Sequence, residues 1–125
     1  MQQLQFEGTW DQAISTQDRV YIEKVFAETK HLKGSGIIFS PLREAINHQE
    51  DLLVSVLVHN FTGQTLLFKN IKLVYRVGEE SLAEMVFTLP KLVIPNSVSM
   101  PWTFIFPKGY YKPHISYENG RIEVG

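Results

Sequence analysis

The stretch SMPWTFIFPKGYY, residues 99–111, contains one tryptophan, two phenylalanines and two tyrosines in thirteen positions. Large apolar side chains recur at every second residue of it: Met100, Trp102, Phe104 and Phe106. This spacing is typical of a strand that covers one side of a sandwich core. Pro101 and Pro107 have no N–H to donate, so they mark the ends or the edge of such a strand. We therefore predict that Trp102, Phe104 and Phe106 are structural core residues rather than an aromatic binding platform.

The same two-residue period recurs through residues 34–125, interrupted by turn signals. In DLLVSVLVHN, residues 51–60, one strand face carries Leu52, Val54, Val56 and Val58, and the other includes Ser55 and His59. Alternation continues over residues 66–76 and 83–89. The chain then predicts a terminal hairpin, with Ile115 and Tyr117 before an Asn119-Gly120 turn and Ile122 and Val124 after it. About seven short strands predict a mainly β fold, an immunoglobulin-like antiparallel β-sandwich.

Residues 15–30, STQDRVYIEKVFAETK, have helical rather than alternating periodicity. Ser15 and Asp18 stand at the spacing of a capping box, so we predict one N-terminal α-helix over residues 16–30. An extended arm with Leu4, Phe6 and Trp10 precedes it. A helix of about 15 residues is marginal alone in water, so it must pack on this sandwich or on that of a neighbouring copy. We predict a single domain over residues 1–125, with arm and helix in 1–33 and the sandwich in 34–125.

The charge of the chain is close to balanced, with 12 basic and 13 acidic residues and a pI near 6.4. A protein with this charge balance has no large positive electrostatic field that could attract phosphate backbones or anionic lipid. We therefore expect neither nucleic acid nor a membrane surface as partner. The sequence has no signal-peptide pattern and no apolar run long enough to span a bilayer. These features predict a cytoplasmic protein without membrane insertion.

Residue patterns of catalytic and metal chemistry are missing from the sequence. The four histidines are far apart and lack helical spacing, and there are no cysteines to supply thiolates. Gly34-Ser35-Gly36 lacks the spaced glycines of a nucleotide loop and the full pattern of a nucleophile elbow. The Asn60-Phe61-Thr62 sequon matters only in a glycosylating secretory route. We expect no catalytic residue, no cofactor and no metal, and hence no enzyme.

One candidate interaction surface follows the aromatic strand, in KGYYKPH at residues 108–114. Tyr110 and Tyr111 are adjacent, so at least one of them faces outward from an extended segment. Together with His114 and the flanking lysines they make a candidate protein-binding surface. The alternative is that the tyrosines pack on the end of the sandwich with their hydroxyl groups in water.

Three segments of the chain resemble the SLAP domain, the repeated module of accessory-Sec-linked S-layer assembly proteins of Bacillus-type bacteria. They are SGIIFSPL, LLVSVLVHNFTGQTLLFKNIKLVY and FTLPKLVIPNSVSMPWTFIFPK, between about residues 32 and 108. PWTFIFPK at 101–108 is the most specific of these motifs. Longer family members carry the domain in duplicate, whereas this chain resembles a single copy. The resemblance implies an assembly or interaction module without catalytic residues.

We therefore expect a non-catalytic module that binds a protein partner of unknown identity, in connection with protein export or cell-surface assembly. An exposed sheet edge could also pair two copies as a homodimer. Two alternatives stay open. One is a protease-inhibitor-like sandwich that presents residues 89–97, LPKLVIPNS, as a loop. The other is a small-ligand carrier with a pocket between the helix and the sandwich.

Overall fold

The computed structural model describes residues 2–32, 34–114, 116 and 119–125. This part of the chain is mainly β, with two sheets and two helices. In chain order the elements are β1 (Gln3–Leu4), α1 (Gly8–Ala13), α2 (Thr16–Thr29), β2 (Ile37–Ile46), β3 (Leu52–Asn60), β4 (Leu66–Val77), β5 (Glu80–Ile94), β6 (Val98–Phe106) and β7 (Gly120–Val124). Ile115 and Tyr117, the predicted first strand of the terminal hairpin, lie outside the described residues.

The strands form two sheets with a shared core between them. The first sheet has the order β1-β6-β3-β2, and the second has the order β5-β4-β7. β1 runs parallel to β6, while the other neighbouring strands are antiparallel. Val56 of β3 stands opposite Trp102 of β6, so the predicted apolar faces of these strands lie side by side. The predicted core face of β3 is confirmed, because Leu52, Val54, Val56 and Val58 are all buried.

Aromatic rings fill the centre of the core. Phe104 is 0% exposed, and its ring centroid lies 5.2 Å from that of Phe87 and 5.6 Å from that of Phe68. Phe106 is also fully buried and meets Phe87 edge-on. Trp102 is only partly buried and packs at the margin of this core. Edge-to-face ring pairs of this kind add to the hydrophobic stabilisation that burial supplies.

Helix α2 begins at Thr16, as the sequence predicts, and ends at Thr29, one residue before the predicted end. The Ser15 hydroxyl accepts a hydrogen bond from the main-chain N–H of Asp18 at 3.1 Å, which satisfies one of the unpaired donors at the helix start. The helix lies against β2 of its own chain. The Tyr21 hydroxyl donates to the Leu42 carbonyl at 2.7 Å, and Asp18 pairs with Arg43 at 2.8 Å. The first sheet is therefore covered on both faces, by α2 outside and by the second sheet inside.

The prediction of a single helix is wrong, because a second helix, α1, precedes α2. Its six residues include Trp10, which the sequence suggested was part of an extended arm. Glu7 caps this helix by accepting from the main-chain N–H of Thr9. Glutamate is not among the residues most favoured at this position, and six residues are too few to show a periodic pattern. The sequence therefore contains no clear signal of the short helix.

The prediction of a loop over residues 89–97 is also wrong, because β5 continues through Pro90 to Ile94. Consecutive residues of β4, Leu67 and Phe68, stand opposite Val93 and Leu89 of β5, so the three residues between them form a bulge. A bulge accommodates proline because the bulged residues need not donate to the ladder. Only residues 95–97 turn the chain towards β6. The loop that a protease inhibitor would present is thus held in the sheet.

Candidate functional site

The two predicted surface tyrosines have different environments. Tyr110 is 60% exposed, and its main-chain N–H donates to the Pro107 carbonyl at 2.9 Å to close a turn. Tyr111 is half-buried, and its hydroxyl donates to the main-chain carbonyl of Glu50 at 2.8 Å. Beside it, the bond from Lys108 to the Glu50 carboxylate raises the pKa of the lysine. Of the pair, Tyr110 presents its ring to solvent and Tyr111 anchors the segment.

The tyrosine segment lies along the outer edge of the second sheet, at the beginning of β5. Lys112 donates its main-chain N–H to the Leu82 carbonyl at 2.7 Å, and Tyr111 forms a bridge with Ala83. The Nε2 atom of His114 lies 4.0 Å from the Glu80 carboxylate, farther along the same edge. The structure therefore brings Tyr110, Tyr111 and His114 to one edge. A shallow cleft of about 420 Å³ opens there, lined by Ser81, Leu82, Ala83, Glu84, Gly109, Tyr110, Tyr111 and Lys112.

His59 is buried within a polar network on the outer face of the first sheet. It is 0% exposed, with Nε2 2.9 Å from the Ser40 hydroxyl and Nδ1 2.6 Å from the Ser99 hydroxyl. The amide of Gln2 donates to the same Ser99 hydroxyl at 3.1 Å, and Phe61 stacks on the imidazole. Burial lowers the pKa of His59 to about 4, because the charged imidazolium would lose its hydration. The ring is therefore neutral at physiological pH and joins β3 to its two neighbours in the sheet, β2 and β6.

Asn60 of the sequon is also 0% exposed and serves as a structural link. Its side-chain N–H groups donate to the carbonyls of Gln64 at 2.7 Å and Ile94 at 2.9 Å. Its Oδ1 accepts from the N–H of Thr62 at 3.0 Å and from the Thr62 hydroxyl at 2.7 Å. Because the amide nitrogen faces these carbonyls, attachment of a glycan would require the link between the sheets to break.

A cavity of about 480 Å³ lies between the two helices and the outer face of the first sheet. Its walls are mainly apolar, and its floor and mouth carry a few polar groups. The lining consists of Thr9, Trp10, Ala13, Ile14, Asp18, Tyr21, Ile22, Leu42, Arg43, Ser55 and Thr103. A pocket between helix and sandwich is where the small-ligand alternative places its site. The volume is within the range of about 300–1,000 Å³ typical of ligand pockets.

Sequence reasoning did not single out Trp10, Ser55 or Thr103. Trp10 reaches the cavity from α1 and stacks on Trp102 at 6.4 Å between ring centroids. Ser55 and Thr103 stand directly opposite each other on β3 and β6, and their hydroxyl oxygens are 2.7 Å apart. Only the pairing register brings these two residues together. The sequence showed only that each is a small polar residue at an outward-facing strand position. Such a residue is equally expected where a strand simply faces solvent.

The described residues do not form a metal site or a membrane-spanning helix. Within residues 2–32, 34–114, 116 and 119–125, no three histidine, aspartate or glutamate side chains converge as a metal site would require. No helix in that same part of the chain has the length and apolar character needed to cross a bilayer. The described geometry therefore offers two candidate sites, the tyrosine edge at β5 and the cavity under the helices.

Comparison with known proteins identifies the family. Searches of curated proteins and of solved structures found no match. The family model of the SLAP domain matches residues 4–121, which extends the sequence resemblance to include both helices and the first residues of β7. The match covers nearly the whole chain, and the chain therefore belongs to the SLAP domain family.

Proposed function

We propose that this protein is a non-catalytic protein-interaction module linked to accessory Sec-dependent export or S-layer assembly. The observation that carries the proposal is the family match over residues 4–121. We further propose that its two sheets form an immunoglobulin-like sandwich and that the protein acts in the cytoplasm. The two-sheet core and the antiparallel pairing within it support the first of these statements.

The edge of β5 near Tyr110 is the proposed contact surface. A tyrosine ring provides a large, rigid contact area, and Tyr110 is exposed on a segment that Tyr111 and Lys108 hold to Glu50. An anchored backbone under an exposed ring reduces the entropy that a partner must remove on binding. This combination supports protein recognition at the edge.

The proposal can be tested by site-specific photo-crosslinking in a Bacillus-type lysate. A benzophenone amino acid replaces Tyr110 in one variant and Leu67 in the control, which is equally exposed at 61% but lies on β4. We expect position 110, and not position 67, to crosslink translocase or surface-layer components identified by mass spectrometry. Equal crosslinking of such components from both positions contradicts the proposed surface, and failure to recover any of them contradicts the export link.

A second candidate function, that of a small-ligand carrier, is favoured by one observation. The cavity of about 480 Å³ lies between the helices and the first sheet. Its lining residues are different from those of the tyrosine edge, so the two functions are compatible in one protein.

A further inference from the structure

The cavity exists because the outer face of the first sheet carries small side chains where the helices cross it. Ser55 and Thr103 form the floor, whereas Leu57, two residues along β3 on the same face, is fully buried. The roof is thin, since α1 has only six residues and none of them is buried. Arg19 of α2 holds that roof by pairing with Asp11 at 2.7 Å. A well-packed core would fill a space of this size.

The floor of the cavity has hydrogen-bonding capacity to spare. The hydroxyls of Ser55 and Thr103 share one hydrogen bond of 2.7 Å, in which either oxygen can be the donor. Two hydroxyl groups carry two hydrogens, so this bond leaves one hydrogen and further lone pairs for another molecule. Both groups lie at the base of walls formed by Trp10, Ala13 and Ile22. A ligand with an apolar body and one polar group matches this arrangement.

The mouth of the cavity carries no net charge. Asp18 and Arg43 pair there at 2.8 Å, and this hydrogen bond lowers the pKa of Asp18, so the carboxylate stays ionised. The Tyr21 hydroxyl is already used by the Leu42 carbonyl. Since the two opposite charges compensate each other, nothing in the lining selects a charged ligand over a neutral one, and a charged group would lose hydration on entry.

We propose that this cavity binds a small uncharged amphipathic molecule, with a planar apolar body against Trp10 and Ile22 and one hydroxyl, amide or aromatic amine group on Ser55 and Thr103. The inference rests on the second candidate function, that of a ligand carrier, and is independent of the protein-interaction surface at β5. It names the class of ligand and the residues that recognise it.

Two fluorescent probes with nearly the same ring system test the proposal. N-phenyl-1-naphthylamine is uncharged and has one N–H group, whereas 8-anilinonaphthalene-1-sulfonate adds a negative charge. Each is titrated into the full chain, with fluorescence as the readout. We expect saturable one-to-one binding of the uncharged probe, at least about tenfold tighter than that of the sulfonate.

Two substitutions on α1 locate the binding. Ala13→Phe places a ring in the cavity, and Gln12→Phe adds the same ring at the neighbouring exposed position outside the lining. We expect Ala13→Phe to weaken binding of the uncharged probe at least about tenfold and Gln12→Phe to leave its affinity unchanged. The double variant Ser55→Ala/Thr103→Val keeps the cavity but removes both hydroxyls. It should weaken binding of the uncharged probe about two- to tenfold. Circular dichroism confirms that each variant is folded.

Each other outcome overturns a distinct part of the proposal. If the uncharged probe binds the wild type and Ala13→Phe equally, the site is wrong. If the sulfonate binds more tightly and Ala13→Phe blocks it, the ligand class is wrong while the carrier function stands. If neither probe binds, both the inference and the carrier function fail, and the crosslinking test at Tyr110 is unaffected.

Discussion

The side-chain amide of Asn60 donates a hydrogen bond of 2.9 Å to the main-chain carbonyl of Ile94. Asn60 ends β3 of the first sheet, and Ile94 ends β5 of the second. One buried side chain therefore joins the two sheets at the point where both strands stop. The same amide also holds the turn that leads into β4, through the carbonyl of Gln64.

Removal of this amide should destabilise the fold. Asn60→Ala removes the donors to the carbonyls of residues 64 and 94, and loss of the buried bond to residue 94 should cost about 1–3 kcal/mol. Asn60→Asp should cost more, because a carboxylate has no donor and would face those carbonyls. Urea unfolding measures both, with Asn96→Ala in the exposed turn as the control, expected within about 0.5 kcal/mol of wild type. If the Asn60 variants unfold with nearly the wild-type free energy, the link between the sheets contributes little to stability.

Stability should depend on the protonation of His59. The folded state lowers its pKa to about 4, from an ordinary value of 6.5. The unfolded chain therefore binds a proton first as the pH falls. The stabilisation is fully present above pH 6.5 and is lost as the pH falls towards 4, by about 3 kcal/mol in total. Unfolding free energies between pH 7 and pH 4 measure this loss.

A matched pair of histidine substitutions isolates this contribution. His59→Gln should flatten the pH dependence between pH 6.5 and pH 4, whatever its effect on stability at pH 7. His48→Gln, at an exposed turn position, should keep the wild-type slope. The same slope in both variants would assign the pH dependence to other groups.

Alanine substitutions at different aromatic residues of β6 should reduce the stability of the fold by different amounts. Phe104→Ala should cost about 3–5 kcal/mol, because Phe104 is fully buried among Phe68 and Phe87. Trp102→Ala should cost less than Phe104→Ala, since its side chain is partly exposed and stacks on Trp10. A double-mutant cycle of Trp10→Ala and Trp102→Ala should give a coupling of about 0.5–1.5 kcal/mol. Additive effects would mean that the two rings do not interact in solution.

Gly120 at the start of β7 should be sensitive to the addition of one methyl group. A Cβ atom built there would lie 2.0 Å from the Tyr75 hydroxyl oxygen and 2.3 Å from the adjacent ring carbon. Gly120→Ala must displace this buried ring, so we expect a loss of about 1–3 kcal/mol in denaturant unfolding. Gly36→Ala is the control, because its Cβ would meet no atom within 4 Å. Equal stability of the two variants would contradict the close approach of Gly120 and Tyr75.

The local signals in the sequence predicted the elements whose patterns are long or explicit. Alternation assigned the core faces of β3 and β6, and the Ser15–Asp18 spacing placed the start of α2. These features depend on neighbouring residues alone, because a strand has a period of two and a helix cap spans three positions. The aromatic motif around Trp102 also pointed to the family, which the match over residues 4–121 confirms.

Several features depended on residues far apart in the chain. Alternation shows that His59 lies on the face opposite Val58, but burial of that face and the bonds to Ser40 and Ser99 come from distant segments. A proline in LPKLVIPNS indicates a strand end by local rules, yet the ladder with β4 carries β5 past it through a bulge.

The two candidate sites also differ in whether their residues are close together in the sequence. Tyr110 and Tyr111 were found by sequence because both belong to one short segment, although only the structure shows that Tyr111 is tied to Glu50. The cavity joins Trp10, Ser55 and Thr103 from three elements. The sequence by itself determined the core faces of β3 and β6, the start of the longer helix and the family, since short-range periodicity and motifs encode them. Tertiary structure alone decided which faces are covered and where a cavity remains, because pairing register and helix docking set the distances between remote side chains.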